Sequence, residues 1–409
     1  MLQFGSGMLL RGLCAAAVDS ANRAGTRAPP GRIVVVQSTA EGAHRARAIN
    51  AQDGLYTLVE RGLSGGAPLE RISLIGAISR ALTADTQWNA VRDAAARPEM
   101  QVIVSNVSEA GFRIDAPFPG RLTDALHARF TRAPDAPPVF VIPAELVPDN
   151  GPRLAAMVHE LAGRYDPADA FRDWLEARVQ FCSSLVDRIT TAPPPDQHTA
   201  LEEKLGYRDA LLTVTEPYAL WAIEADPAEL RAAFPIASAS VLFAPDISFY
   251  RERKLRLLNA VHTATAPLAL LAGVRTVREA TVHPMLAPFL KQLFEEIIPA
   301  TDLPADDARA FADQVLERFA NPWLEHEWRI IATNQEEKFR IRVAPLIVSR
   351  ADKTPPSSLA LAAAAHLTFT RAPLDSLGEA ARIPEFAAAT TRWMAVLARD
   401  GVEAALTHD

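Results

Sequence analysis

Short apolar runs alternate with longer stretches of helical periodicity through the first half of the chain. The strand-like runs occupy residues 2–4, 32–37, 56–60, 69–75, 101–107, 138–143, 218–224 and 240–243. Helical spacing of apolar side chains marks residues 9–22, 85–97, 123–130 and 150–164. Strands that alternate with helices are typical of a parallel sheet covered by helices. The pattern therefore predicts an α/β domain.

The pattern changes after Pro245. Helical periodicity then dominates, at residues 251–271, 286–298, 305–319 and 327–335, followed by alanine-rich segments to the end. A chain of 409 residues is longer than one ordinary hydrophobic core supports. We therefore predict two domains, an α/β domain of residues 1–246 and a mainly helical domain of residues 247–409.

Composition and charge narrow the class of protein. Hydrophobic residues make up 49% and charged residues 22%, which is usual for a soluble, well-packed protein. A net charge of −7 argues against nucleic-acid and anionic-membrane partners. Two cysteines, Cys14 and Cys182, lie in apolar surroundings and indicate a reducing compartment, so we expect a cytoplasmic protein. The chain has no HExxH motif and no cysteine pair, so we predict no metal.

A glycine-rich turn follows the first predicted strand and opens the first predicted helix. The glycines of Gly5-Ser6-Gly7 permit a tight turn and let backbone N–H groups approach a pyrophosphate. The third glycine of the usual fingerprint is absent, with Leu10 in its place, and an ordinary strand-to-helix turn is the alternative interpretation. The residues expected to bind a dinucleotide here are Phe4, Gly5, Ser6, Gly7, Met8 and Leu9.

The second predicted strand ends without the acidic residue that normally holds the ribose hydroxyls. Gln37 stands there, followed by Ser38 and Thr39. Because an amide can still hydrogen-bond a ribose, we expect NAD as cofactor, with NADP as the alternative. Arg45 and Arg47 follow and could serve a 2′-phosphate, although solvated surface arginines are the simpler interpretation.

Three polar side chains interrupt an apolar run in the second half. Lys254, Asn259 and His262 have offsets of 0, +5 and +8 on one predicted helix. Metal-free alcohol or ketone redox chemistry needs a base for the hydroxyl proton and neutral donors for a developing alkoxide. An offset of three turns Asn259 and His262 toward the same side, whereas Lys254, roughly 12 Å earlier, has to reach back or sit on a bend. A basic surface turn before a core helix is the alternative.

Several segments together carry a family resemblance. They are LQFGSGMLLRG at 2–12, QDGLYTLVERG at 52–62, SNVSEAG at 105–111, IPAELVPDNG at 142–151, FCSSLVDRI at 181–189, EPYALWAIE at 216–224, YRERKLRLLNAVHT at 250–263 and NQEEKFRIRVAP at 334–345. In order along nearly the whole chain, they resemble the mannitol dehydrogenase family of metal-independent polyol dehydrogenases, and most closely its tagaturonate reductase (altronate oxidoreductase) branch. The resemblance implies a Rossmann-type domain followed by a largely helical domain, with the site in the cleft.

The resemblance also implies roles for individual residues. Lys254 would be the general acid/base for the substrate hydroxyl, Asn259 would hold the reacting oxygen, and His262 would orient the substrate. Ser183 stands where the family has an asparagine, just ahead of SLVDRI. A serine donates one hydrogen bond over a shorter reach. Losing that donor without replacement would cost roughly 2.7–4 kcal/mol of transition-state stabilisation.

Further residues match positions near the family's substrate and nicotinamide. Lys338 and Arg342 would face a substrate carboxylate and would share one helical face if that stretch is helical, with surface solvation as the alternative. Asn106 and Glu109 would lie near the nicotinamide, although helix capping explains Glu109 nearly as well. The implied reaction is hydride transfer between NAD(H) and a sugar acid, tagaturonate/altronate first, with fructuronate or a neutral polyol such as mannitol as alternatives. A catalytically impaired dinucleotide-binding protein is the alternative of another class.

Overall fold

The computed structural model describes residues 1–24, 31–165, 168–236, 238–350 and 357–407. The chain divides into two compact units, Met1–Arg61 with Glu70–Ile247, and Gly62–Leu69 with Ser248–Asp409. The predicted boundary did not anticipate that residues 62–69 join the second unit. These residues form a hairpin tip, and within that unit the Gly66 amide donates a 2.6 Å hydrogen bond to Glu317 Oε1.

The first unit is built on a six-stranded sheet whose described strand pairs are all parallel. Its order is β5-β2-β1-β6-β7-β8, and two smaller sheets have the orders β10-β11-β3-β4 and β13-β12-β9. The strands are β1 (Leu2–Phe4), β2 (Ile33–Gln37), β3 (Tyr56–Ser64), β4 (Ala67–Ile75), β5 (Ile78–Thr83), β6 (Val102–Ser105), β7 (Val139–Pro143), β8 (Val179–Phe181), β9 (Ser184–Asp187), β10 (Thr190–Thr191), β11 (Thr213–Thr215), β12 (Leu220–Glu224) and β13 (Val241–Ala244).

Helices of the first unit connect these strands, as predicted for an α/β fold. They are α1 (Met8–Leu10), α2 (Ala16–Arg23), α3 (Ala43–Ala51), α4 (Trp88–Ala95), α5 (Pro117–Arg132), α6 (Asn150–Ala162), α7 (Ala168–Arg178), α8 (Pro195–Leu205) and α9 (Pro227–Ala233). The elements that were not predicted are the helices α3, α7, α8 and α9 and the strands β5, β8, β9, β10 and β11. The sequence of β5, ISRALT, mixes polar and apolar positions because this strand lies at the edge of the sheet.

Alternate residues of the central strands feed two separate cores on opposite faces of the sheet. Val35 and Val104 belong to one core cluster, whereas Val36 and Ile103 belong to the other. Successive side chains of a strand point to opposite faces, so a strand that is buried on both faces reads as a continuous apolar run. Because the inner strands are buried on both faces, their sequences are continuously apolar and could be predicted as strands.

The second unit is largely helical, as predicted. Its helices are α10 (Ser248–Lys254), α11 (Val261–Leu271), α12 (Val277–Val282), α13 (Leu286–Ile297), α14 (Ala305–Phe319), α15 (Trp328–Ile331), α16 (Gln335–Arg342), α17 (Ala344–Val348), α18 (Ser357–Thr370), α19 (Pro384–Arg399) and α20 (Gly401–Thr407). The helices α11 and α18 pack together, and nearly all of their residues are buried. Within the described residues, no helix combines the length and apolar character needed to cross a membrane.

Candidate active site

The glycine turn after β1 has the shape that a dinucleotide pyrophosphate requires. Gly5 has a φ of +113°, and a Cβ there would lie 2.7 Å from the carbonyl oxygen of Asn106, so the turn excludes a side chain. At Gly7, by contrast, a Cβ would meet no atom within 4 Å. Open space above a backbone turn at the start of a helix suits a pyrophosphate. The residues present therefore fit the expected cofactor.

The helix after this turn contains a π-helical segment, Arg11–Ala15, between α1 and α2. Two buried donors reach carbonyl groups in that segment. Tyr56 donates from its hydroxyl to the Arg11 carbonyl at 2.7 Å, and Arg188 donates from Nη1 to the Gly12 carbonyl. Side chains that bond to backbone carbonyls within a helix disturb the regular ladder, which accounts for the π turn.

Gly12 allows the close packing of helix on strand that the third glycine of a dinucleotide fingerprint usually provides. A Cβ at Gly12 would lie 2.7 Å from the methyl carbons of Thr190 and Thr215, on strands β10 and β11. The third glycine of a dinucleotide fingerprint allows close packing between helix and strand. Leu10 occupies the usual position of that glycine, as the sequence showed, and the close packing occurs two residues further on, at Gly12.

The end of β2 is occupied by a closed hydrogen-bond cluster. Ser6 donates from Oγ to Gln37 Oε1, and Gln37 Nε2 donates to the Thr39 carbonyl at 3.2 Å and to Thr39 Oγ1 at 3.1 Å. Arg45 donates from Nε to Ser6 Oγ at 3.1 Å, and Arg11 donates from Nη1 to the Ser6 carbonyl at 2.6 Å. Both amide hydrogens of Gln37 are thus used within the protein, and two guanidinium groups flank Ser6.

The ends of β6 and β7 hold a buried carboxyl group. Glu145 accepts hydrogen bonds from Ser105 Oγ at 3.1 Å and from the Val107 amide at 2.9 Å. Burial raises the pKa of Glu145 to about 7, although these hydrogen bonds favour the charged form. The carboxyl group therefore fixes the segment after β6, which includes Asn106.

Two predicted nicotinamide-side residues occupy that segment. Asn106 donates from Nδ2 to the Ala144 carbonyl at 2.7 Å, which ties the ends of the two strands together. Glu109 is exposed and begins a short 3₁₀ turn, Glu109–Gly111. The residue that caps this turn is Ser108, whose Oγ accepts from the Gly111 amide at 3.2 Å. The capping role that was weighed for Glu109 therefore belongs to Ser108.

Ser183 lies in the short connection between β8 and β9 and is only 4% exposed. Its carbonyl accepts from the Glu224 amide at 2.8 Å, and a Cβ at Gly151 would lie 2.5 Å from its backbone nitrogen. Next to it, the Ser184 amide donates to Asn150 Oδ1 at 3.0 Å. The backbone at this position is thus held by strand β12 and by helix α6.

In the second unit, the helix that carries the three predicted catalytic residues also contains a π turn, Leu255–Ala260. A π turn takes one more residue than an α turn, because its hydrogen bonds span five residues. In an unbroken α-helix, Lys254 and His262 would be about 80° apart around the axis; with one residue absorbed, the difference falls to about 20°. With the same residue absorbed, the angle between Asn259 and Lys254 around the helix axis falls to about 40°. The π turn therefore rotates Lys254 and Asn259 toward the side of the helix that carries His262, while Lys254 still lies roughly 10 Å earlier along the axis.

His262 is buried, at 7% exposure, among aromatic rings. It stacks on Phe319 with a centroid separation of 4.4 Å and meets His326 and Trp328 edge-on at 5.1 and 6.0 Å. Its Nε2 has no hydrogen-bond partner among the described residues. Burial first, and then nearby positive groups, lower the pKa of His262 well below 6.5. The imidazole is therefore neutral at pH 7.

Cationic side chains gather around this neutral imidazole. Lys338 and Arg342 lie on α16, which is helical as their spacing required. Arg342 donates from Nη1 to Thr263 Oγ1 at 3.3 Å, and Lys338 donates from Nζ to the Ile331 carbonyl at 3.0 Å. The charges of both residues, together with Arg318, contribute to the lowered pKa of His262. A chain with net charge −7 thus has a local positive region here.

Three neighbours of this region were not identified from the sequence. Arg318 ends helix α14, His326 precedes α15, and Gln335 donates from Nε2 to the Thr263 carbonyl at 2.8 Å. Each lies more than fifty residues from His262 along the chain; only Gln335 falls within a segment that carries the family resemblance, and no role was assigned to it there. Among the described residues, no cluster of three or more histidine, cysteine, aspartate or glutamate side chains is arranged to hold a metal ion.

Comparison with known proteins places these features in a family. The family model of the mannitol dehydrogenase Rossmann domain matches residues 1–232, and that of the mannitol dehydrogenase C-terminal domain matches residues 246–409. The altronate oxidoreductase of Halalkalibacterium halodurans is 37% identical over 359 residues, covering 84% of this chain and 69% of the relative. The altronate oxidoreductase of Klebsiella pneumoniae is 36% identical over 417 residues, covering 98% and 85%.

Solved structures agree on the fold. D-sorbitol dehydrogenase has a TM-score of 0.85 at 21% identity, covering 99% of this chain and 94% of that one. Mannitol 2-dehydrogenase of Pseudomonas fluorescens has a TM-score of 0.75 at 24% identity, covering 100% and 93%. The family matches confirm the resemblance seen in the sequence. The chain belongs to the mannitol dehydrogenase family and is an oxidoreductase.

Proposed function

We propose that this chain interconverts tagaturonate and altronate with NAD(H), using Lys254 as general acid/base. The observation that supports an acidic substrate is the positive region of Lys338 and Arg342 beside the neutral, buried His262. A carboxylate needs such a region because the net charge of the whole chain repels anions. The names of the relatives, altronate oxidoreductases, favour the same substrate.

The proposed chemistry divides the work between the cofactor and the protein. When bound, the dinucleotide supplies the hydride that adds to the carbonyl carbon in reduction, or accepts it in oxidation. Lys254 gives a proton to the oxygen in reduction and removes it in oxidation. Asn259 donates a hydrogen bond to that oxygen, where negative charge develops. The unpartnered Nε2 of His262 is suited to a substrate hydroxyl.

Loss of the lysine tests the mechanism. Purified protein with NADH and tagaturonate should lose the NADH absorbance band, and Lys254→Ala should slow this roughly 10²–10⁴-fold, the usual contribution of a general acid/base. Lys291→Ala, which alters an exposed lysine on α13, is the matched control and should leave the rate unchanged. An undiminished Lys254→Ala rate would refute the assignment.

A comparison of substrates tests the acidic specificity. Arg342→Ala should lower kcat/KM for tagaturonate roughly 10–100-fold, since hydrogen bonds to charged groups contribute about 1.5–3 kcal/mol. The same variant should change kcat/KM for a neutral ketose much less, because a neutral substrate gains nothing from that charge. Equal losses on both substrates would reject a carboxylate partner for Arg342.

A catalytically impaired dinucleotide-binding protein is the second candidate, favoured by Ser183 in place of the family's asparagine. It predicts NAD⁺ binding by calorimetry with no turnover of any sugar acid. Ser183→Asn then discriminates, with rescue of a missing donor raising kcat about 10²–10³-fold. An unchanged, measurable rate would mean that Ser183 already suffices, and this candidate would be dropped.

A further inference from the structure

We propose that the end of β2, through Arg45, also binds the 2′-phosphate of NADP(H), so that this chain accepts both dinucleotides. The inference rests on the proposed function only in assigning a dinucleotide to the glycine turn. It concerns which adenosine ribose fits there, and it is independent of the sugar that is reduced.

The end of β2 lacks the negative charge that normally selects NAD over NADP. In NAD-selective Rossmann domains an acidic side chain at the end of the second strand binds the ribose hydroxyls, and its charge repels a 2′-phosphate. Residues 31–40 contain no aspartate or glutamate. The next acid, Glu41, lies in an exposed 3₁₀ turn, Ala40–Gly42. The selecting carboxylate is thus replaced by the amide of Gln37.

The amide group of Gln37 already makes its hydrogen bonds within the protein. Its two amide hydrogens go to Thr39, and its oxygen accepts from Ser6. A Cβ at Gly42 would lie only 2.1 Å from Gln37 Nε2, so the side chain occupies space that Gly42 leaves open. Gln37 is 4% exposed. With no donor left, this amide offers a ribose at most one acceptor position and gives little selectivity for a free 2′-hydroxyl.

Arg45 places a positive charge beside the end of β2. Arg45 is half-buried and bonds to Ser6 Oγ through Nε at 3.1 Å. A guanidinium held at Nε still carries four N–H groups on its terminal nitrogens, and this fork suits two-point binding of a phosphate. Arg121 adds a second cation beside β2, since its Nη1 donates to the Ser38 carbonyl at 2.5 Å, although Asp85 pairs with it. Because Asp85 pairs with Arg121, the positive charge that a phosphate would meet here is that of Arg45.

Calorimetric titration of the full chain with NAD⁺ and with NADP⁺ tests the proposal. We expect a Kd for NADP⁺ within about tenfold of that for NAD⁺, with a steeper dependence on salt for NADP⁺ because one more charged contact is screened. Arg45→Ala should weaken NADP⁺ binding at least tenfold and NAD⁺ binding less than threefold. Arg47, an exposed arginine on the same helix α3, is the other candidate that the sequence offered for this phosphate; if Arg45 alone binds it, Arg47→Ala should change neither affinity.

A second variant checks the charge argument from the other side. Gln37→Glu keeps an acceptor for Ser6 and adds a negative charge, so it should weaken NADP⁺ at least tenfold without weakening NAD⁺ to the same degree. A wild-type Kd for NADP⁺ a hundredfold or more above that for NAD⁺, or equal losses of both ligands in Arg45→Ala, would overturn the inference. Binding of both dinucleotides without turnover would instead leave the inference standing and defeat the catalytic proposal.

Discussion

Two polar clusters, one in each unit, differ in whether their buried hydrogen-bonding groups have partners. Around the glycine turn, the side chains of Ser6 and Gln37 bond to each other and to their neighbours. In the helical unit, His262 is equally buried, yet its Nε2 finds no partner in the part of the chain that the structure describes. The first cluster is complete without a ligand, whereas the second lacks a bond that a ligand can make.

The difference indicates what each cluster is for. A buried polar group without a partner costs about 1–3 kcal/mol, so a ligand that bonds to Nε2 of His262 would recover part of that free energy. Preorganised bonds around the turn hold the backbone in one shape for a phosphate, which needs N–H groups and open space. A sugar offers hydroxyl groups of its own, and a protein that leaves one imidazole nitrogen unpaired can bind one of them.

The largest expected effect comes from removing the unpaired nitrogen. His262→Leu replaces the imidazole with an apolar side chain of similar size among Phe319, His326 and Trp328. We expect kcat/KM for the sugar acid to fall at least 100-fold while the free energy of unfolding stays equal or rises by about 1 kcal/mol, because a desolvated group is lost. Thermal melts and steady-state kinetics on the same preparation would measure both.

The matched change in the other cluster should have the opposite effect on stability. Ser6→Ala leaves Gln37 Oε1 buried without its hydroxyl donor, so the free energy of unfolding should drop by about 1–3 kcal/mol. If both variants lose stability alike, the contrast between a complete and an incomplete cluster is wrong.

A smaller effect is expected from the buried carboxyl group of the first unit. Because the pKa of Glu145 is raised to about 7 in the folded protein, the folded state holds a proton that the unfolded state releases from about pH 4.5 upward. Stability therefore falls as pH rises from about 4.5 to 7, by at most about 3 kcal/mol. Glu145→Gln can keep both hydrogen bonds, accepting from Val107 and donating to Ser105, and removes the titration.

Chemical denaturation at several pH values would measure this difference. The Glu145→Gln variant should be more stable than the parent at pH 8 and should lose that advantage toward pH 4.5. The histidines contribute in the opposite sense, because the lowered pKa of His262 makes stability fall below about pH 6.5 in parent and variant alike. A parent and variant with parallel pH profiles would show that Glu145 does not titrate in this range.

The smallest expected effect is that of Gly120→Ala, which is compared with alanine at a second helical glycine of the first unit, Gly12. Gly12→Ala would bring a methyl group within 2.7 Å of Thr190 and Thr215 and should cost about 1–3 kcal/mol through overpacking. Gly120→Ala, on α5, meets nothing within 4 Å and should stabilise by about 0.5–1 kcal/mol, since alanine favours a helix over glycine. Melting temperatures that shift in the same direction would remove the packing role assigned to Gly12.

Much of the α/β unit was accessible from sequence because its inner strands are buried on both faces. The run at 32–37 became β2, and the glycine turn lies where the first strand meets the first helix. The edge strand β5 was not predicted, because a strand that is half exposed carries both polar and apolar side chains and has no continuous apolar run. In the helical unit, residues 251–271 were predicted as one helical segment with Asn259 and His262 on the same side, but the π turn that rotates Lys254 toward that side was not predicted.

The class of fold, the position of the glycine turn and the candidate polar residues could be read from the sequence, because they depend on periodicity and on local backbone demands. Tertiary structure was needed to show that Gly12 supplies the close packing of the first helix and that a π turn brings Lys254, Asn259 and His262 toward one face. It also decided that Arg318 and His326 surround His262. Those outcomes depend on contacts between segments that are distant along the chain, and no local pattern of residues encodes such contacts.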